Sequence, residues 1–206
     1  MMIYEKFFAE YSQLTAQVLL TKESVYSKTC RIHARETFEE LLAMNVVPIV
    51  NANDAISVDE DSYGNFGDND TMSADVAALV EADLLIMMSD DPRTNPAARF
   101  VHTVNRIDEE LEKMGKGAGS AVGTGGMATK IEAAKIATEA GADMVIANGD
   151  NIYAINDIMA GKKVGTLFLA KNHRYDGENE LGPERDAYRM ERRLKRNIQY
   201  RMAVGK

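Results

Sequence analysis

Apolar positions along the chain follow two rhythms, one with helical spacing and one of short continuous runs. Phe7, Phe8, Tyr11 and Leu14 lie on one side of a helix expected over Met2–Gln13. Ala34–Met44 reads as a second amphipathic helix with Phe38, Leu41 and Leu42 inward. Val46-Val47-Pro48-Ile49-Val50 has a different character, being short and β-branched, and predicts a buried strand. From Asn51 to Asp70 the chain is polar, after which Asn69 or Asp70 caps a helix running to Glu81. Leu84–Met88 predicts the next buried strand, Ile107–Met114 a short charged helix, and Lys130–Ala140 a helix that ends at Gly141. Met144–Ala147 and Thr166–Leu169 complete the strands, with a helix over Ile152–Met159 between them. No internal repeat is visible.

Strands separated by helices predict an α/β layered fold with a largely parallel central sheet. Ligands in such folds bind beyond the carboxyl ends of the strands. That rule directs attention to Asn51–Asp54, Ser89–Asp90 and Asn148–Asp150.

At 206 residues and 45% hydrophobic, the chain can bury one sizeable core. A net charge of -8 argues against broad binding to a phosphate backbone, so no nucleic-acid partner is expected. The charge is uneven: Arg185–Lys206 holds eight Lys/Arg against Asp186 and Glu191, a net +6, which leaves -14 for the rest. That stretch follows a linker-like Gly177–Pro183. Its apolar stripe of Ala187, Met190, Leu194, Ile198 and Met202 reads as a helix, either solvated or docked on an acidic face. The single Cys30 suits a reducing cytoplasm. No run approaches the length needed to cross a membrane, and the start lacks a signal peptide's pattern.

Three segments could carry chemistry. Asn51-Ala52-Asn53-Asp54-Ala55, with Gly67-Asp68-Asn69-Asp70, offers acceptors for an ammonium and donors for a carboxylate; the same residues are ordinary turn formers and caps. Gly123-Thr124-Gly125-Gly126-Met127-Ala128-Thr129-Lys130 runs into a helix, so backbone N–H groups and a lysine could meet phosphate. It is neither a Walker A loop nor a dinucleotide fingerprint, because Lys130 lies four residues beyond Gly126 and no Gly-x-Gly-x-x-Gly follows a strand. Ser89-Asp90-Asp91-Pro92-Arg93-Thr94-Asn95-Pro96 could contact a nucleotide or simply form an Asx turn. His33, His102 and His173 lack metal-ligand spacing, so no protein metal site is expected.

In this order the segments resemble the glutamate 5-kinases of the amino-acid kinase family from about Met2 to Ala170, with Val164-Gly165-Thr166-Leu167-Phe168 as a further match. The resemblance implies a three-layer αβα sandwich with a mostly parallel central sheet. It implies a partial kinase domain over residues 1–171 and a linker with a basic helical tail over 172–206. Asp54 and Asn69 would hold L-glutamate, with Asp54 aimed at its ammonium. Ser89 and Asp90 would line the nucleotide. Thr124, Gly125, Gly126, Met127, Ala128, Thr129 and Lys130 would wrap the phosphates of ATP, and Lys130 would offset charge on the transferred group. The implied activity uses ATP with Mg2+ and yields glutamyl 5-phosphate, the first step of proline biosynthesis. A cytoplasmic homo-oligomer coupled to glutamyl-phosphate reductase is implied as well.

The sequence departs from the family at its start, where a strand with a lysine and a glycine turn is expected. It departs again after Asp90, where a Gly-Leu-Tyr-Thr-containing insertion is expected, and after Lys171. A non-catalytic relic of the fold, or another carboxylate or carbamate kinase, is therefore the competing expectation.

Overall fold

The computed structural model describes residues 1–56, 66–89, 100–117 and 126–171. The expected linker and basic tail, Asp90–Pro96 and Gly123–Gly125 lie outside the described residues. In chain order the elements are α1 (Met2–Ala9), β1 (Leu14–Leu20), α2 (Lys22–Tyr26), α3 (Lys28–Ala43), β2 (Val46–Ala52), α4 (Asn69–Leu79), β3 (Leu84–Ser89), β4 (Thr103–Val104), α5 (Glu109–Gly117), α6 (Met127–Glu139), β5 (Asp143–Asn148), α7 (Ala154–Met159) and β6 (Thr166–Phe168). Two compact units emerge. The first holds Met1–Val18 and Glu36–Asn51, the second Leu19–Arg35 and the described part of Ala52–His173.

The first unit corrects the reading of the N-terminal segment. The helix expected to reach Gln13 ends at Ala9, Ser12 turns the chain with φ 55°, and Leu14–Leu20 is a strand instead. Thr15 and Val18 are β-branched and favour extended backbone over a continued helix. Tyr11 and Leu14, expected on a helical apolar side, are 83% and 67% exposed, and Phe7 is exposed too. β1 and β2 form a two-stranded sheet. Of the three inward positions expected on α3, Phe38 is buried, Leu41 is half-buried and Leu42 is exposed. β2 is half-buried along most of its length rather than enclosed.

The second unit contains a four-stranded sheet in the order β3-β5-β6-β4. β3 pairs with β5 in parallel, from Leu84 opposite Asp143 to Ser89 opposite Asn148, and β4 pairs with β6 in parallel. β5 and β6 are antiparallel, the one exception here to the largely parallel sheet expected from sequence. Alternation along the strands splits the apolar residues between two faces. On one face Met87, Val104, Met144 and Phe168 pack with Ala74 of α4 and Ala133, Ala134 and Ala137 of α6. On the other, Val145 and Ala147 pack with Ala154 of α7, and Leu84, Met88, Ile158 and Leu167 join them. Helices cover both faces, giving α, β and α layers. The alanines on α4 and α6 let those two helices lie close to the sheet and to each other.

An α–turn–β unit occurs twice, with Ala77, Ala82 and Asp83 of one copy matched by Ala137, Ala142 and Asp143 of the other, which corrects the expectation of no internal repeat. After α4 the turn residue Glu81 has φ 52° and Ala82 N–H donates to Ala77 O at 2.9 Å; after α6, Gly141 has φ 94° and Ala142 N–H donates to Ala137 O at 2.9 Å. Glycine takes that left-handed conformation at little cost, whereas Glu81 takes it with its carboxylate paired to Arg35. In each copy an aspartate, Asp83 or Asp143, then leads into the strand, and Asp143 N–H donates to Asp83 O at 3.0 Å.

Candidate active site

Each repeated unit turns sharply from helix to strand, so α4 runs antiparallel to β3 and α6 antiparallel to β5. The N-termini of both helices therefore lie toward the carboxyl ends of adjacent strands. That edge is where the sheet rule places a ligand.

At the start of α4, Gly67 has φ 81° and Asp68 is the cap, its carboxylate accepting from Thr71 N–H at 2.7 Å and Thr71 O–H at 2.6 Å. The expectation that Asn69 or Asp70 caps this helix is thereby corrected. Asp68 satisfies an otherwise orphaned helix donor, and Asp70 becomes available for longer-range contacts. Asn69 is the first helical residue and is exposed.

At the start of α6, which begins at Met127 rather than the expected Lys130, Gly126 is the cap and its N–H donates to Thr129 Oγ1 at 3.0 Å. The Thr129 hydroxyl is 2.8 Å from Asp70 Oδ2 and 2.8 Å from Gly126 O, and its one proton serves these two acceptors. Lys130 Nζ donates to the same Asp70 Oδ2 at 3.0 Å. The Lys130 and Asp70 side chains are only 15% and 19% exposed, so little water competes for the pair. Asp70 and Lys130 occupy matching positions in the two repeated units, and the cluster is made where the copies meet. Gly126, Met127 and Ala128 are exposed beside it.

Ser89 ends β3, opposite Asn148, and its carbonyl accepts from Gly149 N–H at 2.8 Å. A Cβ at Gly149 would sit 3.5 Å from Ser89 backbone atoms, an ordinary contact, so the two strand ends pack closely without requiring glycine there. Asn148 Oδ1 accepts from Asp150 N–H at 2.9 Å and closes an Asx turn. Asp54 lies in the exposed turn after β2, which Asn53 N–H anchors to Leu20 O at 2.8 Å. No described contact joins Asp54 to the Asp70 cluster. Asp90, Thr124 and Gly125, also singled out from sequence, lie outside the described residues.

Asp70 is the residue that sequence reasoning missed. The sequence offers it as a cap or as one acceptor among several for an ammonium, without a partner; the structure joins it to both Thr129 and Lys130. The signal was present in Gly67-Asp68-Asn69-Asp70, where two acids flank one asparagine and a helix needs only one cap. Chemically the cluster supplies a lysine held in place by a carboxylate, next to exposed backbone N–H groups at a helix start. That arrangement suits an anion whose charge builds during a reaction.

A sequence profile described as the amino acid kinase family matches residues 1–148. The chain is 49% identical over 179 residues to a glutamate 5-kinase of Clostridium perfringens, covering 83% of this chain and 66% of that protein. It is 50% identical over 176 residues to the glutamate 5-kinase of Clostridium acetobutylicum, covering 82% and 65% respectively. The corresponding figures for the Carboxydothermus hydrogenoformans protein of that name are 52% over 179 residues, 83% and 47%. The chain thus spans less than two thirds of the length of these relatives. Among solved structures, UMP kinase from Ureaplasma parvum aligns with a TM-score of 0.52 at 15% identity over 81% of this chain and 65% of that one. An isopentenyl phosphate kinase substrate complex aligns at 0.54 and 18% identity, over 81% and 65%. These structures share the α/β fold.

Proposed function

The chain belongs to the amino acid kinase family, and on that premise we propose that the protein transfers the terminal phosphoryl group of ATP to the side-chain carboxylate of L-glutamate. The product is glutamyl 5-phosphate, at the entry to proline biosynthesis. The observation that carries this reading is the Asp70–Thr129–Lys130 cluster at the adjoining starts of α4 and α6. Relatives at about half identity over four fifths of the chain bear the name glutamate 5-kinase, and this supports the choice of substrate.

The roles follow from charge and placement. Glutamate's carboxylate is itself the nucleophile, so the protein must position and stabilise rather than supply an attacking atom. Backbone N–H groups of the segment from Thr124 to Lys130 cradle the phosphates. Lys130, steered by Asp70, meets the charge spread over the transferred group. Ser89 and Asp90 line the nucleotide. Asp54 receives the glutamate ammonium, and Asn69 contributes amide hydrogen bonds at the start of α4. Among the described residues no three His, Cys, Asp or Glu side chains gather to hold a metal ion. Mg2+ enters as part of the Mg-ATP substrate, and no residue here is assigned to it.

The product is a mixed anhydride prone to hydrolysis, which favours rapid hand-over to glutamyl-phosphate reductase in the cytoplasm. Assembly into a homo-oligomer is part of the same proposal. Among the described residues no helix is long and apolar enough to cross a membrane.

The test uses the full-length protein with ATP, Mg2+, hydroxylamine and a panel of glutamate, aspartate, N-acetylglutamate and carbamate. An acyl phosphate is trapped as its hydroxamate. Hydroxamate formed from glutamate in clear preference supports the reading. Preference for another acid, or no turnover of any, overturns it.

A further inference from the structure

A strap of polar contacts runs along α4 on the side that meets α2 and the start of α3. The Tyr26 hydroxyl donates to Asp75 Oδ1 at 2.8 Å, Arg31 donates to Val25 O and Ala78 O at 3.3 Å each, and Arg35 pairs with Glu81. Asp75, Ala78 and Glu81 follow one another at roughly one-turn intervals. Two of the three contacts sit at the rim. The third does not: Asp75 is 3% exposed, and its Oδ2 has no hydrogen-bond partner among the described residues.

A buried carboxylate with one unmet oxygen is costly while ionised and much less so when protonated. Among the described residues the groups facing it are few. Tyr26 and Lys22 approach from α2, Arg31 from α3 and Asp68 from α4 itself, while Glu132 of α6 acts on Tyr26. β3, the strand packed beneath, brings no titratable side chain. We propose that Asp75, shut in beneath α2, is a proton-sensitive clip: α2 and the first turns of α3 stay closed on α4 while its carboxyl is protonated and loosen as it ionises. Burial, the largest influence, holds the Asp75 carboxyl above its ordinary range, against the opposing pull of the Tyr26 bond and the nearby Lys22 and Arg31 charges.

The sign follows from linkage. An acid whose pKa is raised in the closed state contributes stability below its ordinary pKa and loses it as pH rises through the raised value. Opening of the strap therefore becomes easier with rising pH. The clip acts on α4, whose cap is Asp68 and whose first turn carries Asn69 and Asp70, but it does not depend on the phosphoryl chemistry proposed above.

Native-state amide exchange of Val25–Arg31 measures this opening directly, once corrected for intrinsic exchange and referenced to amides of β5. In the unmodified protein the opening constant is expected to climb with pH, approaching about tenfold per unit while Asp75 ionises. In Asp75→Asn the same amides should show no such climb. Tyr26→Phe provides a second reading that does not require Asp75 to be changed. Removing a bond that favours the ionised carboxylate should move the inflection to higher pH. Equal pH dependence in the unmodified protein and Asp75→Asn overturns the proposal, as does a flat profile in the former or an unmoved inflection in Tyr26→Phe.

Discussion

Replacing Asp70 by Asn keeps the shape and an acceptor for Thr129 but removes the charge that holds Lys130. At the observed 3.0 Å, two unit charges attract by about 5.5 kcal/mol at an effective dielectric of ~20 and by about 1.4 kcal/mol in bulk water. Desolvation and the ordering of the lysine stem offset much of this. With both side chains less than one fifth exposed, the net coupling should be about 1–3 kcal/mol, above the range of exposed pairs. Urea unfolding of the unmodified protein, Asp70→Asn, Lys130→Met and the double variant measures it. Each single change leaves a half-buried group without its partner, so the double variant should be less damaged than the sum of the two. The gap should persist at high salt, because a pair sheltered from solvent is poorly screened. Lys113–Glu109, with side chains 77% and 91% exposed, serves as the control and should show no coupling that survives salt. Additivity of the two single variants within about 0.5 kcal/mol would refute the idea that Asp70 holds the lysine.

Three other outcomes are expected. Gly165→Ala should destabilise the protein by more than ~2 kcal/mol in chemical denaturation, because its φ is 73° and a Cβ would lie 2.1 Å from Ile146 O, in the β5 backbone that pairs with β6. Tyr26 should titrate late: burial first, then its bond to Asp75, pushes it up from 10.0 to about 12. Its contribution to stability is then complete below pH 10 and lost as pH rises through about 12, a loss absent in Tyr26→Phe and followed by phenolate absorbance. Asp54→Asn should raise the KM for glutamate by about tenfold or more while leaving the KM for ATP nearly unchanged, as measured by coupled ADP release.

The second unit was legible because its residues leave few alternatives. The runs at Leu84–Met88 and Met144–Ala147 are too short for helices and too apolar for loops, and Gly141 stops α6 where a left-handed turn is needed. The first unit was less so. Phe7, Phe8, Tyr11 and Leu14 have helical spacing, but Leu14–Leu20 pairs with β2. Strand pairing is a long-range contact that spacing within one segment does not record. The two-residue β4 offers too short a pattern to read. The repeat is easily passed over because identity is confined to a few positions, among them Ala77, Ala82 and Asp83 against Ala137, Ala142 and Asp143, while Glu81 stands where Gly141 does and Asp70 where Lys130 does. In the site, the residue types of caps and of ligand contacts are the same, so sequence could name the segment but not say which acid caps and which binds. Only the packing of α4 against α6 separates Asp68 from Asp70.

The central claim is that Lys130 acts on the transferred phosphoryl group. Steady-state kinetics of full-length Lys130→Met, with glutamate and Mg-ATP varied separately, test it most directly. A charge that works chiefly in the transition state appears in kcat, so turnover should fall by about a hundredfold or more with the glutamate KM within a few-fold of its original value. Thermal unfolding of the same sample checks that the fold persists. Unchanged turnover in a folded variant, or a loss confined to the glutamate KM, would contradict the account.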